Sequence, residues 1–158
     1  MEIDVAERTE RAKAFFLQGY NCSQAVFLAY CDLFGIEASF GAKLVAPLGG
    51  GMGRLREVCG AVSASFLVAG LKFPADRPAD TPEGRAAKAR NYAVVQELAA
   101  RFEQENGSLV CRELLNLTCK HDTSEPSERT ENYYRRRPCI GYIMAAARIV
   151  GEKLKETD

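Results

Sequence analysis

Helix start and stop signals divide this chain into short apolar segments, and they constrain its fold more than any other feature. Asn21 is a side chain that caps a helix start, and Thr81-Pro82 combines a capping hydroxyl with proline at the first helical position. Gly19 and Gly107 are typical C-terminal stops. No segment of useful length alternates apolar and polar residues, as a half-buried strand would. The pattern therefore predicts an all-α protein.

The predicted helices are joined by short connections, which is typical of a helical bundle. They cover residues 5–18, 22–34, 55–71, 82 to about 104, 109–116 and 138–155, and residues 39–45 are a further candidate for a short helix outside this count. A strand over 43–48 followed by a phosphate loop is the alternative, and Pro47 and the lack of further strands argue against it. We expect residues 1–158 to form a single-domain bundle of five to six helices.

The charge balance argues against a nucleic-acid-binding protein. Lys plus Arg and Asp plus Glu number 21 each, so the formal net charge is zero. The N-terminus has no basic segment leading into an apolar run, and the longest apolar stretch, residues 61–71, is too short to cross a bilayer. We therefore expect a cytoplasmic protein without membrane insertion, whose thiols are mostly kept reduced.

Four of the six cysteines lie where a helix is predicted to begin. Cys22, Cys111 and Cys139 fall in first turns, and Cys59 lies near the start of the helix that follows the glycine run. A helix start offers unpaired N–H groups and a partial positive charge, which favour the thiolate form. Four such positions predict that helix ends meet around a shared site. The alternative is that each cysteine is a small buried hydrophobe.

Arginines near two of these cysteines strengthen the prediction of reactive thiols. Arg54 and Arg56 precede Cys59, and the arginine run 135–137 comes directly before Pro138 and Cys139. Nearby cations lower the pKa of a thiol. A solvated face or ion pairs with neighbouring glutamates explain the run equally well. Cys139 and Cys22 are the predicted reactive thiolates, because they come earliest in their predicted helices.

The remaining candidates carry weaker signals. Cys31 falls on the opposite side of the helix from Cys22, so a core thiol is expected. Cys119 and His121 have the spacing of a metal-binding pair but lack further close ligands. The glycine run 49–53 lacks the P-loop pattern, and we expect it to serve positive φ angles or close backbone approach. In that conformation the backbone N–H groups of the glycine run would face the predicted thiol site.

Taken together, these segments resemble the C_GCAxxG_C_C family of redox-active proteins. The resemblance is carried by the motif Asn-Cys-Ser-Gln-Ala-Val at 21–26, Val-Cys-Gly-Ala at 58–61, Cys-Arg-Glu-Leu-Leu at 111–115 and the late Cys139. It implies that Cys22, Cys59, Cys111 and Cys139 are the family cysteines, and it leaves Cys31 outside the pattern. Cys119 lies outside it too. This chain has alanine at position 64, where the family pattern has glycine.

Two functions from different classes follow from these four cysteines. The first is a redox site that cycles between thiols and one or two disulfides, as an oxidoreductase or electron carrier with an unidentified redox partner would need. The second is a metal-binding module in which the same four thiolates hold zinc or an iron–sulfur cluster. A scaffold with inert buried thiols is the third reading. A homodimer formed through the small-residue faces of the third and last helices is a further expectation.

Overall fold

The computed structural model describes residues 1–119 and 121–156 and is all-helical over them. The all-α prediction is confirmed, whereas five to six helices is too few, because these residues form eight right-handed α-helices and one left-handed turn, α4. In chain order the elements are α1 (Val5–Leu17), α2 (Cys22–Leu28), α3 (Ala38–Val45), α4 (Gly49–Met52), α5 (Gly60–Lys72), α6 (Pro82–Asn106), α7 (Cys111–Leu114), α8 (Glu131–Arg136) and α9 (Cys139–Lys155).

Some predicted helices are shorter or divided. The helix predicted over 22–34 ends at Leu28, and a 3-10 turn, Cys31–Phe34, follows it. The helix predicted from residue 55 begins only at Gly60, because the residues before it pair with another segment of the chain. The helices predicted over 109–116 and 138–155 begin at a cysteine in each case.

One helix, α8, was missed, although its start carries a recognisable signal. The Thr130 side chain accepts a hydrogen bond from the Tyr133 N–H and caps the helix. Glu131 lies in its first turn and two arginines lie in its last, which suits the helix dipole. The segment is short and polar, so apolar periodicity alone gave no sign of it.

The core is built where α1, α2, α5 and α9 pack against one another. Small residues along α5, including Gly60, Ala61, Ala64 and Ala69, are buried and allow its neighbours to approach closely. On α9, Gly151 faces Tyr30 in the same way. These small residues are therefore used within the fold, and the homodimer stays a prediction.

Tyr30 joins the two halves of this core. It is fully buried, and its hydroxyl donates a hydrogen bond to the Ala147 carbonyl at 2.7 Å. The hydroxyl lies so close to Gly151 that a Cβ at that position would overlap it. Because an interior at crystal-like density has no spare room, the buried Tyr30 ring requires a glycine at position 151.

Of the described helices, none is long and apolar enough to cross a membrane.

We predict that Gly151→Ala destabilises the protein by about 1–3 kcal/mol through overpacking against Tyr30. Gly141→Ala is the matched control, since Gly141 lies on the same helix and a Cβ there would meet nothing within 4 Å. The control should be neutral or stabilising by up to about 1 kcal/mol. Urea unfolding of both reduced variants measures the difference, and equal stabilities would contradict the packing described for Tyr30.

Candidate functional site

The four predicted site cysteines, which come from four separate helix starts, line a common cavity. Cys22, Cys111 and Cys139 are the first residues of α2, α7 and α9, and Cys59 is the N-cap of α5. The cavity has a volume of about 400 Å³. Cys59 and Cys111 are buried, the other two are partly exposed, and all four are free thiols.

Glycines permit this convergence because the backbone passes where no side chain fits. A Cβ at Gly60 would lie 2.6 Å from the Cys22 sulfur and 2.7 Å from the Leu48 carbonyl oxygen. A Cβ at Gly51 would lie 2.7 Å from the Cβ of Cys111. The expected role of the glycine run in close backbone approach and positive φ angles is therefore what the structure has.

The glycine run forms a left-handed turn next to the cysteines. The backbone from Gly50 to Arg54 has positive φ throughout, with 68° at Gly50, Gly51 and Met52, 59° at Gly53 and 66° at Arg54. Glycine adopts this conformation freely, whereas each L-residue costs about 1–2 kcal/mol there. The turn directs the Gly50 N–H towards the Cys22 sulfur. It also places Arg54 on the cavity wall.

An isolated antiparallel bridge joins two of the cysteine-bearing helix starts. Val58 pairs with Val110; the Cys59 N–H donates to the Leu109 carbonyl at 2.8 Å, and the Cys111 N–H donates to the Glu57 carbonyl at 2.6 Å. The chain is therefore extended directly before α5, which explains the late start of that helix. The bridge holds the first residues of α5 and α7 side by side.

Backbone N–H groups at helix starts point at the sulfurs, as the sequence predicted. The Cys22 sulfur accepts from the N–H groups of Ser23, Gly50 and Ala61. The Cys59 sulfur accepts from those of Ala61 and Val62 in the first turn of α5. These donors stabilise negative charge that develops on either sulfur.

Burial nevertheless outweighs the helix starts, contrary to the predicted thiolate character. Removal from water raises the pKa of Cys22, Cys59 and Cys139 above the ordinary value of 9.0, and for Cys139 it reaches about 12. Arg137 and Arg129 lower the pKa of Cys139 only in part. At neutral pH these three sulfurs are therefore protonated thiols when reduced.

The cysteines also influence one another, and Cys22 and Cys111 are the central pair. Negative charge on Cys22 raises the pKa of Cys59 and of Cys139, and negative charge on Cys111 does the same. Cys22 and Cys111 interact with each other as well. Negative charge on either of these two sulfurs therefore acts on both Cys59 and Cys139.

Arg56 gives Cys111 a side-chain hydrogen-bond donor, which none of the other described cysteines has. Its Nη1 donates to the Cys111 sulfur at 3.6 Å, and its Nη2 pairs with Asp122 at 3.1 Å. Arg54 pairs with the same carboxylate at 3.2 Å. The Thr123 N–H and Arg56 together hold the pKa of Asp122 below its usual range. A guanidinium donor of this kind stabilises negative charge that develops on the sulfur it contacts.

Two further arginines reach the cavity from the segment before α9. Arg129 donates to the carbonyls of Phe16 and Tyr20, at 3.1 Å in each case, and lies 4.1 Å from the centre of the Phe16 ring. Of the predicted arginine run, only Arg137 lines the cavity. Arg135 instead pairs with Glu131 at 2.9 Å on the surface.

The remaining sequence candidates lie away from the cavity. Cys31 is buried in the core and its thiol contacts the Leu28 carbonyl at 3.8 Å, as expected for a core thiol. Cys119 and His121 are both exposed. Within residues 1–119 and 121–156, no three His, Cys, Asp or Glu side chains are arranged to hold a metal ion.

A protein-family model matches most of the chain, including the segment that carries these cysteines. A family model described as "Putative redox-active protein (C_GCAxxG_C_C)" matches residues 20–153, which include all four of them. The chain belongs to the C_GCAxxG_C_C family. Searches of curated proteins and of solved structures each returned no match. The family description supports redox chemistry, and the residues of the cavity must supply its details.

We predict that the reduced protein loses stability as the pH rises above 9.0. The raised pKa of a folded thiol contributes stability below the pKa of the unfolded thiol, and this contribution is lost between 9.0 and the folded value of about 12 at Cys139. Cys22 and Cys59 act in the same direction. Urea unfolding under reductant should show a loss of at least about 1 kcal/mol between pH 8 and pH 10.

The matched control for this measurement is Cys119→Ser, because Cys119 is exposed. This variant should keep the same dependence on pH. A free energy of unfolding that stays flat from pH 8 to pH 10 would show that the cavity thiols are not desolvated.

Proposed function

We propose that Cys22, Cys59, Cys111 and Cys139 form a thiol–disulfide redox centre. The observation that carries this proposal is that four free thiols from four helix starts line one cavity. Each disulfide formed there takes two electrons and two protons from a pair of thiols and passes them to an acceptor disulfide. A second pair of thiols allows a second such step in the same cavity.

Cys111 is the proposed nucleophile, in place of Cys139 and Cys22, which the sequence favoured. Arg56 donates to its sulfur, and thiolate rather than thiol is the attacking species. Cys22 is the proposed resolving thiol, because negative charge on Cys111 raises its pKa and because its sulfur accepts three backbone N–H groups. Cys59 and Cys139 then form the second pair.

The raised pKa values suit a centre that must remain reduced until a partner arrives. A thiol attacks disulfides slowly, so three protonated sulfurs resist accidental oxidation at neutral pH. Cys119 is exposed and lies outside the cavity, so it would be oxidised by a different, intermolecular route. Burial therefore separates the reaction of the centre from background oxidation.

A metal-binding module remains the alternative, because four cysteine thiolates supply a complete ligand set for zinc or for an iron–sulfur cluster. The arrangement of the described residues favours the redox centre over it, since no metal-binding group is preformed among them. A metal site would protect four thiols from alkylation in the purified protein, whereas a reduced redox centre would have no metal to protect them.

We predict that Cys111→Ser lowers the initial rate of reversible thiol oxidation at least tenfold, since it removes the proposed attacking thiolate. Protein prepared without oxygen is mixed with a disulfide oxidant, and thiols are counted over time. Cys119→Ser should oxidise at the unaltered rate and lose cavity thiols in pairs, which dithiothreitol then restores.

Metal analysis of the same protein completes the experiment. An unchanged rate in Cys111→Ser would overturn the assignment of the nucleophile. Stoichiometric zinc or iron that protects four thiols from alkylation would replace the redox centre with a metal site.

A further inference from the structure

We propose that the four-cysteine cavity selects a small disulfide that carries carboxylate groups. This inference rests on the proposed redox function and specifies its substrate class. It is drawn from the charges, the hydrogen-bond donors and the size of the cavity.

The lining of the cavity is strongly cationic. Arg54, Arg56, Arg129 and Arg137 contribute to it, and none of the described lining residues is a carboxylate. Asp122 lies behind two of these arginines and is shared between them, so it offsets only part of their charge. A wall with this excess of positive charge attracts anions and repels cations.

Arg56 presents a buried donor that no described group satisfies. The residue is only 4 % exposed, and two of its nitrogens already contact Cys111 and Asp122. Its Nε has no hydrogen-bond partner. A buried donor without an acceptor is unfavourable, so the site would gain from an acceptor atom on a bound substrate that reached it. That acceptor would lie beside the proposed nucleophile.

Arg137 supplies a second cationic group from another side of the cavity. Its guanidinium lies 5.8 Å from the centre of the Tyr133 ring, and no described carboxylate pairs with it. Guanidinium groups bind carboxylates through two parallel hydrogen bonds, so Arg137 can hold a carboxylate while Tyr133 fixes its orientation. Charge at both Arg56 and Arg137 favours a substrate with a carboxylate on each arm.

The size and the apolar part of the wall limit the arms to short chains. The volume of about 400 Å³ is at the small end of ligand sites, and Phe16, Leu114 and Ile143 line it. These side chains suit methylene groups between the carboxylates and the disulfide. The substrate class is therefore a dicarboxylate disulfide with arms of a few carbons.

The reaction balances without any further reagent. The Cys111 thiolate attacks one substrate sulfur, forming a mixed disulfide and releasing one carboxylate-bearing thiolate, which takes up a proton. The Cys22 thiol, on losing its proton, then attacks Cys111, releasing the second thiol and leaving a Cys22–Cys111 disulfide. The protein loses two electrons, and the substrate disulfide gains them.

Three disulfides of similar length test the charge preference. They are 3,3′-dithiodipropionate with two negative charges, bis(2-hydroxyethyl) disulfide with none, and cystamine with two positive charges. Each disulfide is mixed with reduced Cys119→Ser protein, and the rate at which protein thiols are lost is measured. This rate is then divided by the rate at which the same disulfide reacts with free cysteine, which corrects for its intrinsic reactivity. After this correction, the dianion should react at least about tenfold faster than the neutral disulfide, and cystamine slowest. The preference should weaken as salt is added.

Arginine variants then locate the preference. Arg137→Gln should lower the ratio of the dianion rate to the neutral rate by about tenfold, because one charge-assisted contact is lost. Arg136→Gln is the matched control, since Arg136 is exposed and absent from the cavity wall, and it should retain the ratio. Equal corrected rates for all three disulfides would overturn this inference and leave the redox centre intact. Failure of every disulfide to oxidise the cavity thiols would overturn the redox centre itself.

Discussion

The close approach of α2 to the start of α5 is the contact on which the rest of the site depends. The Cys22 sulfur occupies the place that a side chain at position 60 would fill, so α5 must begin with glycine for the two helix starts to meet. The same principle repeats at Gly51 and Cys111. The Leu48 carbonyl oxygen is 2.7 Å from a Cβ at position 60, and the Glu57 N is 2.8 Å from one at position 51, so backbone atoms that cannot change rotamer also exclude a side chain there. The cysteines are therefore positioned by the backbone rather than by the flexibility of their own side chains.

Two opposing effects act on these sulfurs, and their balance determines the state of the reduced site. Helix starts and arginines favour thiolates, whereas removal from water favours thiols. Burial prevails at Cys22, Cys59 and Cys139. Helix-start effects are modest, up to about 2 kcal/mol, whereas burial of an ionised group costs more. The donors act chiefly when charge develops during reaction, since they lie in place before it appears.

The sequence predicted those parts of the molecule that depend on local chemistry. The Asn21 and Thr81 caps, the stop at Gly107 and the cysteines at helix starts follow from nearest neighbours along the chain. The bridge between Val58 and Val110 does not, because its partners are distant in sequence and each strand is a single residue pair. Desolvation of the thiols was also beyond local patterns, since it depends on the packing of several helices together. Because the bridge and the desolvation of the thiols were not predicted, the prediction of the site was less accurate than the prediction of the fold.

Arg56 shows how the irregular backbone and the chemistry of the site are connected. Its φ of 58° is unfavourable for a residue with a side chain, and the φ of 66° at Arg54 is unfavourable for the same reason. Local strain of this kind persists where surrounding contacts over-determine it. Here the shared carboxylate of Asp122 and the paired segment after Arg56 supply those contacts. A regular helix from residue 55, as the sequence suggested, would have carried the guanidinium elsewhere on the helix surface. The strained segment instead brings a fixed positive charge into hydrogen-bond contact with the Cys111 sulfur.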